Sequence, residues 1–363
     1  MSWTDQYSTL DRMVHRAAFA GVGLQKIVAD LEDTVFASRF AAVSCDRPIF
    51  ITSLPRAGTT LLLEILSRLP ATATHTYRNM PFLLCPLIWD QFSRAFRRDG
   101  GRRERAHGDG VEIDYDSAEA FEEALWQAWW PSKYSNGRIA LWSAKDEDQE
   151  FEFFFLNHLR KMVALSQRNK SPQAGRYVSK NNANIARLPL LSRLFPDATI
   201  IIPVREPCAH VNSLHRQHLR FLKVHSEDAF ARTYMRAIGH LDFGANFAPI
   251  DFPGVRGDGR TARDASFWLD YWIAAYGMLA AIDNPQVVFV SYEALCARPT
   301  ETLNGLLQRL GESAGPDLDR LSALVRRQRQ ATQPNGTLDA GRIAEADAIY
   351  HRLALRSAVQ SPA

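Results

Sequence analysis

Pro48-Ile49-Phe50-Ile51-Thr52-Ser53-Leu54-Pro55-Arg56-Ala57-Gly58-Thr59-Thr60 runs from a strand pattern, through a small-residue break, into a helix pattern. Ile49-Phe50-Ile51-Thr52 is short, apolar and β-branched, as a buried strand requires. Leu61-Leu62-Leu63-Glu64-Ile65-Leu66-Ser67-Arg68-Leu69 has the spacing of an amphipathic helix. A strand, a short loop and a helix N-terminus aim several N–H groups and the positive end of a helix dipole at one place, which suits a phosphate. Gly58 would let backbone approach closely, Thr59 and Thr60 add hydroxyls, and Arg56 adds a planar cation. The pattern is not G-x-x-x-x-G-K-[ST]: Ser53 stands where the early Gly belongs, and the cation precedes Gly58. An ordinary strand-to-helix turn would also fit.

Ala198-Thr199-Ile200-Ile201-Ile202-Pro203-Val204 reads as a second apolar strand, ending in Arg205-Glu206-Pro207. Pro207 suits the first turn of a following helix, and Ser213 lies eight residues after Arg205. A strand-end Arg with a Ser on the next helix can hold a second phosphate; a surface ion pair would use the same Arg.

Together these motifs resemble the sulfotransferases that use 3'-phosphoadenosine 5'-phosphosulfate. Ser53 to Thr60 looks like the family's 5'-phosphosulfate loop, giving Arg56, Ala57, Gly58, Thr59 and Thr60 as donor-binding residues. Arg205 through Ser213 looks like its 3'-phosphate element. Val287 to Ser291, followed by Tyr292-Glu293, looks like the family's strand whose Tyr lies near the adenine. The resemblance covers about residues 47 to 70 and 177 to 311. It implies an α/β, P-loop-like three-layer fold with a central parallel sheet and a largely helical insertion. The flavour is nearer the divergent bacterial and carbohydrate- or tyrosine-modifying branches than the phenol and steroid enzymes.

Sulfuryl transfer relies on positioning and charge stabilisation. Arg56 is the candidate cation for the leaving phosphate. Lys180, at the end of the strand pattern Tyr177-Val178-Ser179-Lys180, matches a family Lys and can supply another. The acceptor also needs a base. In the phenol and steroid branch it is a His two residues after that Lys; here the position is Asn182, which cannot take a proton. In the tyrosyl-protein branch it is a Glu, and the position counted from Arg56 is Tyr77. His75, two residues away, has a side chain suited to the task and is the expected base; His107 and Glu112 are rivals.

Composition agrees with a globular enzyme. Of 363 residues 46% are hydrophobic and 23% charged. A net charge of +3 is too small to argue for nucleic acid or a membrane surface. Cys45, Cys85, Cys208 and Cys296 are dispersed, so neither zinc nor a disulfide framework is indicated, and no metal is required. The N-terminal residues lack a signal-peptide pattern and no apolar run is long enough to span a membrane, so the cytoplasm is expected. An ATP-dependent P-loop-like kinase would need a G-K-[ST] loop and an acidic strand end, and neither is found; a non-catalytic nucleotide-binding module remains open. The acceptor, whether small molecule, lipid or carbohydrate, is not readable.

Alternating strand and helix patterns predict one domain over 1–363, with a helical preface (1–45), a helical insertion (80–172) and a C-terminal tail (330–363). Within the preface, over residues 8 to 38, Leu10, Met13, Val14, Ala17, Leu24, Ile27, Val28, Leu31 and Val35 recur at helical spacing. Gly-rich residues 98 to 115 predict a mobile loop, and residues 242 to 262 a second loop. Ser117 is expected to cap a helix reaching Trp130, and another helix should cover Glu147 to Arg168. Trp268, Tyr271, Trp272, Ala275 and Leu279 read as a core face. Trp126, Trp129, Trp130 and Tyr134 could line an acceptor pocket or pack in the core.

Overall fold

The computed structural model describes residues 15, 18, 21–93, 103–104, 112–113, 116–255, 259–313, 315–325 and 338–357. Its centre is β1 (Ile49–Ile51), joined in one sheet by β2 (Thr72–Ala73), β3 (Arg176–Lys180), β4 (Thr199–Val204) and β5 (Val287–Ser291). The five strands are all parallel, in the order β2-β3-β1-β4-β5. Longer helices are α1 (Val22–Val35), α2 (Thr59–Leu66), α3 (Glu122–Trp129), α4 (Gln149–Asn169), α5 (Pro207–Glu227), α6 (Ala265–Ala280), α7 (Pro299–Leu310) and α8 (Ala340–Leu355).

Side chains alternate along each strand, so every strand feeds two cores. Ile49, Ile51, Val178, Ile201, Val288 and Val290 meet α2 and α7 on one face. Phe50, Tyr177, Ile200, Ile202 and Phe289 meet α4, α6 and α8 on the other. Buried on both faces, the strands carry near-continuous Ile and Val, as a parallel sheet requires. The result is the expected three-layer α/β fold.

Several local expectations shift. The predicted Ser117 start gives way to Glu122, because Ser117 and Glu119 are engaged with another segment: Tyr77 N donates to Ser117 O at 3.3 Å and Glu119 N to His75 O at 3.0 Å. The helix ends at Trp129, before Pro131. Trp126, Trp129 and Trp130 belong to the core, Trp126 at 4.5 Å from Phe151 and Trp129 stacked at 4.0 Å on Phe154. Trp268 and Trp272 are fully buried.

Of the expected apolar stripe, Leu10, Met13, Val14 and Ala17 lie outside the described residues; in α1 Leu24, Ile27, Leu31 and Val35 are exposed and Val28 is half-buried, while Gln25, Ala29 and Glu32 face inward. The reason lies on α4: fully buried Lys161 pairs with Glu32 at 2.9 Å and with Asp33. A charge out of water needs such partners, and they fix which face of α1 turns in. Most of residues 98 to 115, His107 included, lie outside the described residues; Arg103–Glu104 pairs antiparallel with Glu112–Ile113. In the tail, α8 buries Ala346, Ile349 and Leu353, and Ser357 forms a parallel bridge to Phe289. Among the described residues no helix is long and apolar enough to cross a membrane, and no group of three His, Cys, Asp or Glu is placed to hold a metal ion.

Candidate active site

In the strand order β2-β3-β1-β4-β5, β1 sends its chain towards one edge and β4 towards the other. A crevice opens at the carboxyl ends of such a pair, the usual ligand position in open α/β sheets. The loop after β1 is held from several sides. Thr52 N donates to Ile201 O at 2.9 Å. Ser53 Oγ donates to Pro203 O at 2.7 Å and receives the Tyr276 hydroxyl at 2.7 Å. Arg56 has φ 72°, a left-handed conformation that non-glycine residues rarely adopt. Gly58 caps α2 at φ 99°, and a Cβ there would lie 2.7 Å from the Tyr292 ring. Ala57 is buried, and Thr59 and Thr60 form the first turn of α2.

His210 braces this loop from below. Trp272 Nε1 donates to its Nδ1 at 3.1 Å, so Nε2 carries the proton and donates to Pro55 O at 2.8 Å. Burial pushes its pKa from 6.5 down to about 3, keeping the ring neutral. His75 is pushed down to about 3 for the same reason. Between these folded values and the ordinary 6.5 the unfolded chain binds more protons, so stability rises with pH across that window. It should be intact above about pH 6.5 and fall as pH drops towards 3, by up to about 1.4 kcal/mol per pH unit for each histidine. Urea unfolding series at decreasing pH should show this slope, and His210→Gln should flatten it; an unchanged slope would place His210 outside the folded-state proton balance.

The second element meets the first. Arg205 Nη1 donates to Arg56 O at 2.9 Å, and Arg56 Nε donates to Ser213 Oγ at 3.3 Å on α5. The Arg205 guanidinium lies 4.9 Å from the Tyr292 ring centre, and its buried Nε has no hydrogen-bond partner. A buried donor left unmade is costly, and at this place a phosphate oxygen would satisfy it. Glu206 caps α5, accepting from Cys208 N at 2.9 Å and Ala209 N at 2.6 Å. Arg56, Gly58, Arg205, Ser213 and Tyr292 therefore stand together at one end of the sheet.

β3 supplies the third wall. Half-buried Lys180 ends the strand, and Asn181 and Asn182 follow. Asn182 Oδ1 accepts from Thr59 Oγ1 at 3.3 Å, and its Nδ2 donates to Asp242 Oδ2 at 2.7 Å. Asn181 Nδ2 donates to Glu123 Oε2 at 2.8 Å, and Glu123 also pairs with fully buried Arg187 at 2.9 Å. Asp242 and His210 belong to no sequence motif. Asp242 sits in a Gly- and Pro-rich stretch legible only as a loop.

His75, the expected base, is enclosed by other side chains. It is 1% exposed, with Nε2 at 2.8 Å from His158 Nε2 and Nδ1 at 3.1 Å from the Tyr177 hydroxyl. Tyr177 in turn reaches Glu122 at 3.3 Å. None of these partners belongs to the Ser53–Thr60 loop. His107 lies outside the described residues; Glu112 is described only in its backbone, within the short antiparallel pair.

N–H groups at a helix start, hydroxyls and guanidinium groups in one neighbourhood are the chemistry that suits an anion. The sulfotransferase STF1 of Mycobacterium tuberculosis H37Rv is 15% identical, over 93% of this chain and 84% of that one, with a TM-score of 0.48. STF9 of Mycobacterium avium is 14% identical, over 90% and 80%, at 0.48. A sulfotransferase of Alicyclobacillus acidocaldarius is 16% identical, over 84% and 96%, at 0.36. No curated protein matches the chain. A model of the sulfotransferase family matches residues 48–256, more than half of the chain and inclusive of both the Arg56 and the Arg205 elements, so the chain belongs to the sulfotransferase family.

Proposed function

We propose that this protein transfers a sulfuryl group from 3'-phosphoadenosine 5'-phosphosulfate to a hydroxyl or amine of a small-molecule, lipid or carbohydrate acceptor. The observation that carries this reading is the junction of the two loops: Arg205 holds the Arg56 carbonyl while Arg56 reaches Ser213. A donor with phosphate at both ends needs two anion-binding elements held side by side, as these hydrogen bonds hold them. In this reading the N–H groups of Ala57 and Gly58, the hydroxyls of Thr59 and Thr60, and Arg56 take the 5' end. Arg205, through its unsatisfied Nε, and Ser213 take the 3'-phosphate. Tyr292 lies against the adenine, and Lys180 adds a second cation at the reacting end. The four cysteines, all free thiols, fit a reducing compartment, and we place the protein in the cytoplasm.

The test compares adenosine 3',5'-bisphosphate with adenosine 5'-phosphate by calorimetry. A charge-assisted hydrogen bond contributes about 1.5–3 kcal/mol, so Arg205→Ala should weaken the bisphosphate about ten-fold or more. The monophosphate should lose much less, and Ser213→Ala should follow the same pattern with a smaller loss. Equal losses for both nucleotides would remove the 3'-phosphate assignment.

A further inference from the structure

We propose that Tyr350, on the C-terminal helix α8, is a positioning residue for the donor's 3'-phosphate: it holds the Glu293 carboxylate off Arg205, so that the Arg205 charge is left for the phosphate. This rests on the donor site proposed above. Two carboxylates stand close to Arg205. Glu206 follows it in the chain, and Glu293 follows Tyr292, whose ring centre lies 4.9 Å from the Arg205 guanidinium. A carboxylate so near an arginine ordinarily pairs with it, and would contest the site with any anion. Here all four carboxylate oxygens are engaged by other donors. Glu206 Oε1 accepts from Cys208 N at 2.9 Å and its Oε2 from Ala209 N at 2.6 Å. Glu293 Oε1 accepts from Glu206 N at 2.9 Å, and its Oε2 from the Tyr350 hydroxyl at 2.8 Å. Among the described residues neither carboxylate is paired with Arg205, whose Nη1 holds the Arg56 carbonyl and whose Nε has no hydrogen-bond partner.

The sheet explains why Glu293 is there. β4 and β5 pair in parallel as far as Val204 and Ser291. Past that point the chain leaves β4 for α5, and the Glu206 N–H has no ladder partner. The Glu293 side chain supplies the acceptor that the strand no longer offers. That bond uses one oxygen. A glutamate has several rotatable bonds, so the other oxygen keeps its place only if something holds it, and Tyr350 does. The rest of α8 is fixed independently of that hydroxyl. Ala346, Ile349 and Leu353 are buried, and Arg342 pairs with Asp270 on α6 at 2.6 Å. Just past the helix, Arg356 donates to Ile282 O at 2.7 Å, and Ser357 Oγ accepts from Ser291 N at 3.1 Å. Removing one phenolic hydroxyl therefore spares the docking of the helix and changes what Glu293 is free to do.

Calorimetry of the full chain with adenosine 3',5'-bisphosphate and adenosine 5'-phosphate tests this. Tyr350→Phe should weaken the bisphosphate about five-fold, the size of one half-exposed ion pair, as Glu293 turns onto Arg205. The monophosphate should be held as before, so the ratio of the two affinities falls. Tyr350→Phe combined with Glu293→Gln should return the bisphosphate to its wild-type affinity. The amide oxygen still accepts from the Glu206 N–H, but the side chain carries no charge to set against the phosphate. A tyrosine with a merely structural role would lower the melting temperature and leave the ratio alone, and the second substitution would deepen the loss instead of reversing it. An unchanged ratio in Tyr350→Phe, equal losses for both nucleotides, or a double variant no better than the single one would overturn the proposal. Arg205→Ala separates it from the donor reading. If Arg205→Ala weakens both nucleotides equally, the 3'-phosphate assignment fails and this proposal with it. If Arg205→Ala abolishes the preference for the bisphosphate while Tyr350→Phe keeps it, the donor site stands and only the role of Tyr350 falls.

Discussion

Arg56→Ala should lower kcat by about 10²–10³ while changing adenosine 3',5'-bisphosphate affinity far less. In the proposed reaction the charge of Arg56 would matter most as the bridging oxygen gains negative charge while the bond to sulfur breaks, a charge absent from the bound donor. The substitution removes the guanidinium but spares the scaffold. The Arg56 carbonyl that Arg205 holds is backbone, and remains. Alanine meets the φ of 72° with the same Cβ as arginine, so no new backbone strain enters. Arg56→Lys should recover part of the rate, since a point charge remains, but not all, because the planar Nε contact to Ser213 is lost. Steady-state rates beside calorimetric affinities separate the two effects. Normal turnover by Arg56→Ala would mean that the reacting end lies elsewhere.

Glu123→Ala should cost about 3–5 kcal/mol of folding stability, because it strands a buried charge. Arg187 is fully buried, and Glu123 takes both of its terminal nitrogens, at 2.9 and 3.1 Å. Tyr134 and Asn181 also donate to Glu123, at 2.6 and 2.8 Å, so its loss leaves three groups without their acceptor. Glu123→Leu combined with Arg187→Met should recover much of the loss, since apolar side chains of similar volume replace the pair without a desolvation cost. Urea midpoints measure both. A wild-type midpoint for Glu123→Ala would show that the cluster does not hold the end of β3 in place.

The parts legible in the sequence are those whose determinants are local. The Ile49–Thr60 transition, and Arg205 with Ser213 on the next helix, depend on strand composition, a glycine and a first-turn proline, all within a few residues. What escaped reading depends on partners distant in the chain. The inward face of α1 is chosen by Lys161 on α4, so the apolar stripe that periodicity marks is the one left in water. The late start of α3 follows from backbone bonds to residues 75 to 77. His75 looks like a base by composition, but its enclosure by His158 and Tyr177 is set by α4 and β3. The hydrogen bond from Asn182 to Asp242 joins residues 60 apart in the chain.

The hydrogen bond from Arg205 to the Arg56 carbonyl has a consequence for fidelity. On the proposed donor assignment, the guanidinium that would read a nucleotide's 3'-phosphate also braces the backbone from which the proposed reactive cation, Arg56, projects. A nucleotide that engages it neutralises that charge and stiffens the brace. One that does not leaves the brace to thermal motion. Adenosine 5'-phosphosulfate, the donor shorn of one phosphate, should therefore be penalised twice, in how tightly it is held and in how fast it reacts. Selectivity of this kind is a proofreading of the donor by the geometry of turnover, and needs no separate gate.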